Sequence, residues 1–141
     1  MADSLRLEVV TPSQRVLEGR ASEVRIPGAD GELGILPGHT PLLTSLGTGQ
    51  VQFVDGETTG RLVVQGGFAE VQPDAVTVLA SVAETVDEID VEAARAALSE
   101  AEEALKDASA EDFATFDAQA RLAAARIEAS GELRRLSSRC V

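Results

Sequence analysis

Apolar and charged residues alternate along Leu5-Arg6-Leu7-Glu8-Val9, the spacing of a strand with one face in a core and one in water. Short apolar runs recur at Val16-Leu17, Val24-Arg25-Ile26, Val51-Gln52-Phe53, Leu62-Val63-Val64, Phe68 to Val71 and Val76 to Leu79. Turn dipeptides divide them. Asp55-Gly56 lies between the runs at Val51 and Leu62, where the connection reads as longer than two residues, and Pro73-Asp74 lies between those at Phe68 and Val76. No helical window appears in this part of the chain. The pattern predicts an antiparallel sandwich or barrel of about eight to ten short strands.

The period then changes. Val91, Ala94, Leu98, Ala101 and Leu105 step by three and four, the apolar seam of one helix. Asp90 stands where an N-cap belongs, and Glu92 suits the first turn. Asp107-Ala108-Ser109 interrupts the run, and Ser109-Ala110-Glu111-Asp112 has the form of a capping box that starts a second helix near Ala110. Its seam is Phe113, Phe116, Ala120, Ala123 and Ile127, and so short a connection makes the pair an antiparallel hairpin. Gly131 falls inside the projected second helix, where it would cost about 1 kcal/mol relative to Ala. Leu133-Arg134-Arg135-Leu136 resumes helical character. The fold class is therefore α+β: a β-sandwich over residues 1–86, then a helical hairpin over 87–141.

Alanine dominates the hairpin. It favours each helix alone, while a buried methyl contributes far less than the roughly 1.5–3 kcal/mol of a buried Leu or Phe. Locally persistent helices with weak docking can move without melting; a hairpin fixed against the sandwich is the other reading.

Composition narrows the function. The formal net charge of −12 argues against nucleic acid as a partner. Residues 83–117 hold twelve acids and two bases, whereas residues 118–141 hold two acids and five bases, so an acidic chain ends basic. Such a tip fits an acidic partner, or simply a solvated helix face with cations near its end. The start, MADSLRLEVV, has neither a basic n-region nor an apolar h-region, and no run approaches the roughly 18 apolar residues of a membrane span. His39 is the only histidine, so no His-based metal cluster exists, and Cys140, the only cysteine, lies far from it in sequence. The plentiful acids leave a paired-carboxylate hydrolase open, but they concentrate on the alanine-rich helix, where they read as a solvated face; no catalytic residue, metal or cofactor is expected.

The stretch from Gly28 to Gly49, GADGELGILPGHTPLLTSLGTG, stands apart. Asp30-Gly31 and Pro37-Gly38 are turn signals, and they hold the short apolar piece Leu33 to Leu36 between them. This predicts a shaped, exposed loop against a sheet. It is no phosphate cradle: the glycines lack G-x-G-x-x-G spacing, no Gly-Lys-Ser/Thr follows, and Pro37 sits where a helix would begin.

Two runs, GELGILPGHTPLLT and GGFAEVQPDAVTVLA (Gly66 to Ala80), resemble the epsilon subunits of bacterial F-type ATP synthases, which correspond to the mitochondrial delta subunit. The likeness extends over nearly the whole chain and is looser in the helical tail. It implies a non-catalytic central-stalk subunit whose sandwich binds the gamma subunit and rests on the ring of c subunits. It places Asp30, Gly31, Glu32 and Leu33 at the c ring, with Glu32 as the recurrent acidic contact, and the turn carrying His39 near gamma. Taken alone, Glu32 reads equally as a solvated turn acid and His39 as a hydrogen-bonded turn residue.

The resemblance also implies a hairpin with two placements, folded or extended along gamma into the alpha/beta hexamer, where it blocks hydrolysis. Arg121, Arg126, Arg134 and Arg135 are the candidates for an acidic segment of the beta subunit. Some relatives bind ATP through Ile/Leu-Asp-x-x-Arg-Ala. Here Ile89 and Asp90 are present, but Ala93 stands where the arginine should be and Arg95 comes two residues later, about 200° around the helix. Tight ATP binding is therefore not expected. The complex would hold the chain at the cytoplasmic face of a bacterial plasma membrane, peripherally. The competing reading is a free-standing β-sandwich binding module whose hairpin mediates self-association.

Overall fold

In the computed structural model, which describes residues 4–131, alternation sets the first layer. Leu5, Leu7 and Val9 of strand β1 (Leu5–Val10) are fully buried, while Arg6 between them is exposed. β1 pairs antiparallel with β2 (Arg15–Ala21) and parallel with β8 (Ala75–Thr85). The parallel pair departs from the all-antiparallel expectation. These strands lie at opposite ends of the domain sequence, so no tight turn dictates their relative direction.

The longest strand, β7 (Thr58–Gln72), joins two runs that the sequence pattern separates, Leu62–Val64 and Phe68–Val71. It pairs with β8 over nearly its whole length. Its first half also pairs with β6 (Thr48–Asp55) and its last part with β5 (Leu42–Ser45). Between these halves Gly66 and Gly67 have φ of +68° and +101°. Opposite them Leu46 and Gly47 divide β5 from β6: Leu46 N–H donates to Gly67 O at 2.9 Å, and Gly66 N–H to Gly47 O at 3.2 Å. A long strand that bends in this way passes from one layer of a sandwich to the other. One layer is β2-β1-β8-β7-β5; the other continues through β7-β6 to β3 (Glu23–Gly28) and β4 (Gly31–Ile35). β1 packs against β3 and β2 against β6 across the interior. Leu7, Val9, Val24, Ile26, Val51, Leu62 and Val78 fill it, each worth roughly 1.5–3 kcal/mol in burial.

One turn follows the sequence reading and two segments do not. Pro73-Asp74 forms a two-residue turn closed by the Gln72–Ala75 pair. At Asp55-Gly56 the expected longer connection is absent: Asp55 pairs with Thr58, leaving Gly56-Glu57 as a two-residue turn with Gly56 at φ +65°. The ladder continues through exposed polar residues, which apolar alternation cannot reveal. The stretch from Gly28 to Gly49 is not one exposed loop. It contains β4 and β5, because Leu33 and Ile35 alternate with Gly34 and pair with Ile26 and Val24.

After a 3-10 turn at Val86–Glu88 come α1 (Val91–Lys106) and α2 (Ala110–Ala129), packed on each other. Both expected caps form: Ala93 N–H donates to Asp90 Oδ1 at 3.1 Å and Asp112 N–H to Ser109 Oγ at 3.2 Å. Ala94, Ala101, Ala123 and Ile127 of the expected seams are buried. Phe113 is not; it is 52% exposed, in the first turn of α2 beside the connection, where no further turn of α1 remains to cover it. Ala125 and Ala129 are buried instead, outside the expected seam. Gly131 does not weaken a helix interior. α2 ends at Ala129, and Gly131, at φ +88°, donates its N–H to Glu128 O at 3.0 Å as a C-terminal cap. Leu133-Arg134-Arg135-Leu136 lies outside the described residues. The sandwich and the hairpin are two compact units, divided in the chain between Thr85 and Val86.

The bend makes a sharp prediction. A Cβ on Gly67 would sit 2.0 Å from Leu79 O, whereas one on Gly19 meets nothing within 4 Å. Gly67→Ala should destabilise by at least about 1–3 kcal/mol through backbone strain alone, and Gly19→Ala should be neutral or stabilising by about 0.4–1 kcal/mol. Urea unfolding midpoints of the two variants check this.

Candidate functional site

On the β2-β1-β8-β7-β5 layer the inward phase is occupied by Leu7, Val9, Val76, Val78, Ala69 and Val71. The outward phase has two zones. Towards β2, Arg6 and Arg15 form ion pairs with Glu8 and Glu18 at 2.8–3.4 Å, exposed pairs that contribute little energy and mark a solvated surface. Towards β5 the character reverses. Val10 pairs with Leu79 and Leu79 with Phe68, so these three side chains cross β1, β8 and β7 as one row. Phe68 is 53% and Leu79 50% exposed, and Leu43 of the edge strand β5 is 68% exposed. Beside the row lies a groove of about 410 Å³ lined by Val10, Pro12, Phe68 and Leu79. Clustered large apolar side chains on an outer sheet face mark a docking surface.

Sequence reasoning missed this row. The signal was present: Phe68 precedes the inward Ala69 and Val71, and Leu79 follows the inward Val76 and Val78, so both are apolar residues on the polar phase of their strands.

The second surface is the tip of the β3–β4 hairpin. Gly28 pairs with Gly31 around Ala29-Asp30, and a Cβ on Gly28 would meet Gly31 O at 2.7 Å. Ala29 N–H donates to Ser45 O and Gly47 N–H to Pro27 O, each at 2.8 Å, which fixes the tip against the β5–β6 junction. Asp30, Gly31 and Glu32 are exposed. Glu32 Oε1 lies 3.6 Å from Arg25 Nη1 on the neighbouring strand. Leu33 does not share this exposure; it packs against the core.

His39 sits in a third place. Leu36-Pro37-Gly38-His39 closes with His39 N–H donating to Leu36 O at 3.1 Å, and Gly38 at φ +88° gives a type II turn. Gly38 N–H donates to Pro73 O at 2.7 Å, so the turn is fastened to the β7–β8 turn, at one end of the layer that carries the apolar row. The His39 ring is half-buried, its Nδ1 donating to Thr40 O at 2.7 Å.

The remaining candidate residues belong to the helical unit. Asp90 is engaged as the N-cap of α1, and Ile89 is half-buried beside it. Arg95 pairs with Glu92 at 3.3 Å. Arg121 pairs with Asp117 at 2.8 Å with its side chain 69% exposed, and Arg126 lines the groove between the helices. Arg134 and Arg135 lie outside the described residues. Among the described residues no cluster of three or more His, Cys, Asp or Glu could hold a metal, and no helix is long and apolar enough to cross a membrane.

Known proteins share both units. The family described as "ATP synthase, Delta/Epsilon chain, beta-sandwich domain" matches residues 4–86, and "ATP synthase, Delta/Epsilon chain, long alpha-helix domain" matches residues 87–131. An ATP synthase epsilon chain of Geotalea uraniireducens is 44% identical over 137 residues, covering 96% of this chain and 99% of that one. One from Solibacter usitatus is 46% identical over 131 residues, covering 89% and 98%. Among solved structures, a chain of the Euglena gracilis mitochondrial ATP synthase (OSCP/F1/c-ring) matches with a TM-score of 0.81 at 22% identity, covering 92% of this chain and 82% of that one. A chain from the Tetrahymena thermophila mitochondrial ATP synthase central stalk and c-ring matches at 0.61 and 13% identity, covering 89% and 96%. At these identities the structures show a shared fold.

The outward row should be dispensable for folding. Phe68→Ser and Leu79→Ser each forfeit mainly a cross-strand pair and should cost no more than about 1 kcal/mol, against about 2–5 kcal/mol for Ile26→Ala in the core. Chemical denaturation of the three variants reads the difference.

Proposed function

This chain belongs to the delta/epsilon family of ATP synthases as an epsilon chain, and we propose that it acts as a non-catalytic stalk subunit coupling a gamma-type subunit to the c ring. The observation that carries the proposal is the outward apolar row of Val10, Phe68 and Leu79 with Leu43 beyond it, a surface too apolar to be left to solvent. Gamma would cover that row and reach the His39 turn at the end of the same layer. The c ring would meet the β3–β4 tip, where Asp30, Gly31 and Glu32 offer a fixed, acidic and exposed edge to polar loops. Leu33, turned towards the core, would hold that tip in shape more than touch the ring.

The helical unit would serve as a restraint on ATP hydrolysis. Its partner would be an acidic segment of the beta subunit in the alpha/beta hexamer, met by Arg121 and Arg126 and, outside the described residues, by Arg134 and Arg135. Tight nucleotide binding is not part of the proposal: Asp90 serves as the N-cap of α1, and Ala93 stands where the relatives' motif has arginine. The chain would lie peripherally at the cytoplasmic face of a bacterial plasma membrane, attached through the complex.

Adding the full chain, or residues 1–88, back to a synthase core depleted of its epsilon chain tests both halves. Both forms should bind, and only the full chain should slow ATP hydrolysis. Equal rates with both bound would remove the inhibitory role, and failure of both to bind would remove the stalk assignment, leaving a self-associating binding module.

A further inference from the structure

The outward apolar row cannot be covered by itself. A stable interface buries roughly 800 Å² on each partner, a patch about 16 Å in radius. Glu70 follows Phe68 on the outward phase of β7, about 7 Å away at the rise of a strand. It stands between the exposed Leu43 of β5 and the half-buried Thr77 of β8, its direct partners in the two ladders. A partner that covers Phe68, Leu79 and Leu43 therefore covers Glu70 as well.

The acids of this face are held differently. Glu8 and Glu18, in the solvated zone, are neutralised by Arg6 and Arg15. Glu70 has no cation among the described residues; its Oε1 accepts from the Gln72 amide at 3.0 Å, a bond that fixes the carboxylate without neutralising it. In the free chain water solvates the charge, since Glu70 is exposed. Under a partner that hydration is lost, and an unpaired ion removed from water costs more than an apolar contact returns. An apolar partner surface alone would be opposed at this point. A cation offsets the cost through a charge-assisted hydrogen bond to the second carboxylate oxygen. The formal net charge of −12 acts in the same sense at longer range, drawing a basic surface towards the chain.

We propose that the partner surface seated on the outward row carries a Lys or Arg that pairs with Glu70, so that Glu70 selects a basic apolar ridge over a purely apolar one. This rests on the stalk reading: the cation belongs to the gamma-type subunit. The sheet sets its place, about 7 Å from the side chain that meets Phe68 and about 5 Å from the one over Leu43. A helix would supply such a pair from residues three or four apart, a strand from residues two apart.

The test is the affinity of the full chain for a gamma-type subunit over a range of salt concentrations, for the natural chain, Glu70→Gln, Glu70→Lys and Glu18→Gln. Glu70→Gln keeps the shape and an acceptor for Gln72, so its effect reports the charge. At low salt it should weaken binding at least about tenfold, and Glu70→Lys at least about tenfold more. Glu18→Gln should bind like the natural chain. The gap between the natural chain and Glu70→Gln should narrow as salt rises. Denaturation midpoints of the Glu70 variants should match that of the natural chain; binding lost in step with stability would overturn the pairing. Equal affinity of the natural chain and Glu70→Gln, with Phe68→Asp/Leu79→Asp still impaired, would overturn it and leave the stalk reading standing. A natural chain that does not bind gamma would overturn both. Glu70-dependent dimerisation of the chain alone would put a second copy on this face, and would also overturn the pairing.

Discussion

The sandwich depends on one backbone constraint, the bend of the β7–β8 hairpin at Gly66-Gly67. β7 is fifteen residues long and pairs with β8 over nearly all of it, so a straight hairpin would give a single flat sheet with its apolar face in water. Two consecutive glycines at positive φ let the ladder turn: the β7–β8 pairing skips Gly66, whose N–H donates to Gly47 O instead, and resumes at Gly67. Only glycine can occupy Gly67, since a side chain there would enter the carbonyl of Leu79. Once the turn is made, Leu62 and Val64 on one side of it and Ala69 and Val71 on the other face the same interior.

The bend also fixes what lies outside. Phe68 follows Gly67 immediately, so the local geometry that folds the sheet also sets Phe68 on the outer surface beside Leu79. Phe53 shows the opposite solution on the other layer. Its ring lies over Gly60, where a Cβ would come within 2.2 Å of it, so an aromatic near the edge of the core is covered by using the space a side chain would take. The contrast is physical: Phe53 gains burial from its own chain, while Phe68, Leu79 and Leu43 remain exposed on theirs.

Much of the fold was legible because its rules are local. Period-two alternation marked β1, short apolar runs marked pieces of β7 and β8, and both helix starts followed from Asp90 and Ser109, whose side chains cap them as their types require. What escaped was non-local. The parallel β1–β8 pair and the union of two apolar runs into β7 are set by tertiary pairing, and β4 was hidden by its glycines. The outward apolar row was visible only as a phase error, two apolar residues on the polar side of their strands, and that error has meaning only once the inward phase is known. The exposed tip at Asp30 to Glu32 and the turn at His39 were easier, because turn residues announce themselves.

If this chain joins a stalk, the outward row is the surface proposed to carry the contact. The direct measurement is the affinity of the full chain for a gamma-type subunit, compared with Phe68→Asp/Leu79→Asp and with Arg6→Gln in the solvated zone of the same face. The double variant should lose at least about tenfold in affinity, or about 1.4 kcal/mol, and Arg6→Gln should change little. A folded double variant that binds gamma as tightly as the natural chain would contradict that role for the row.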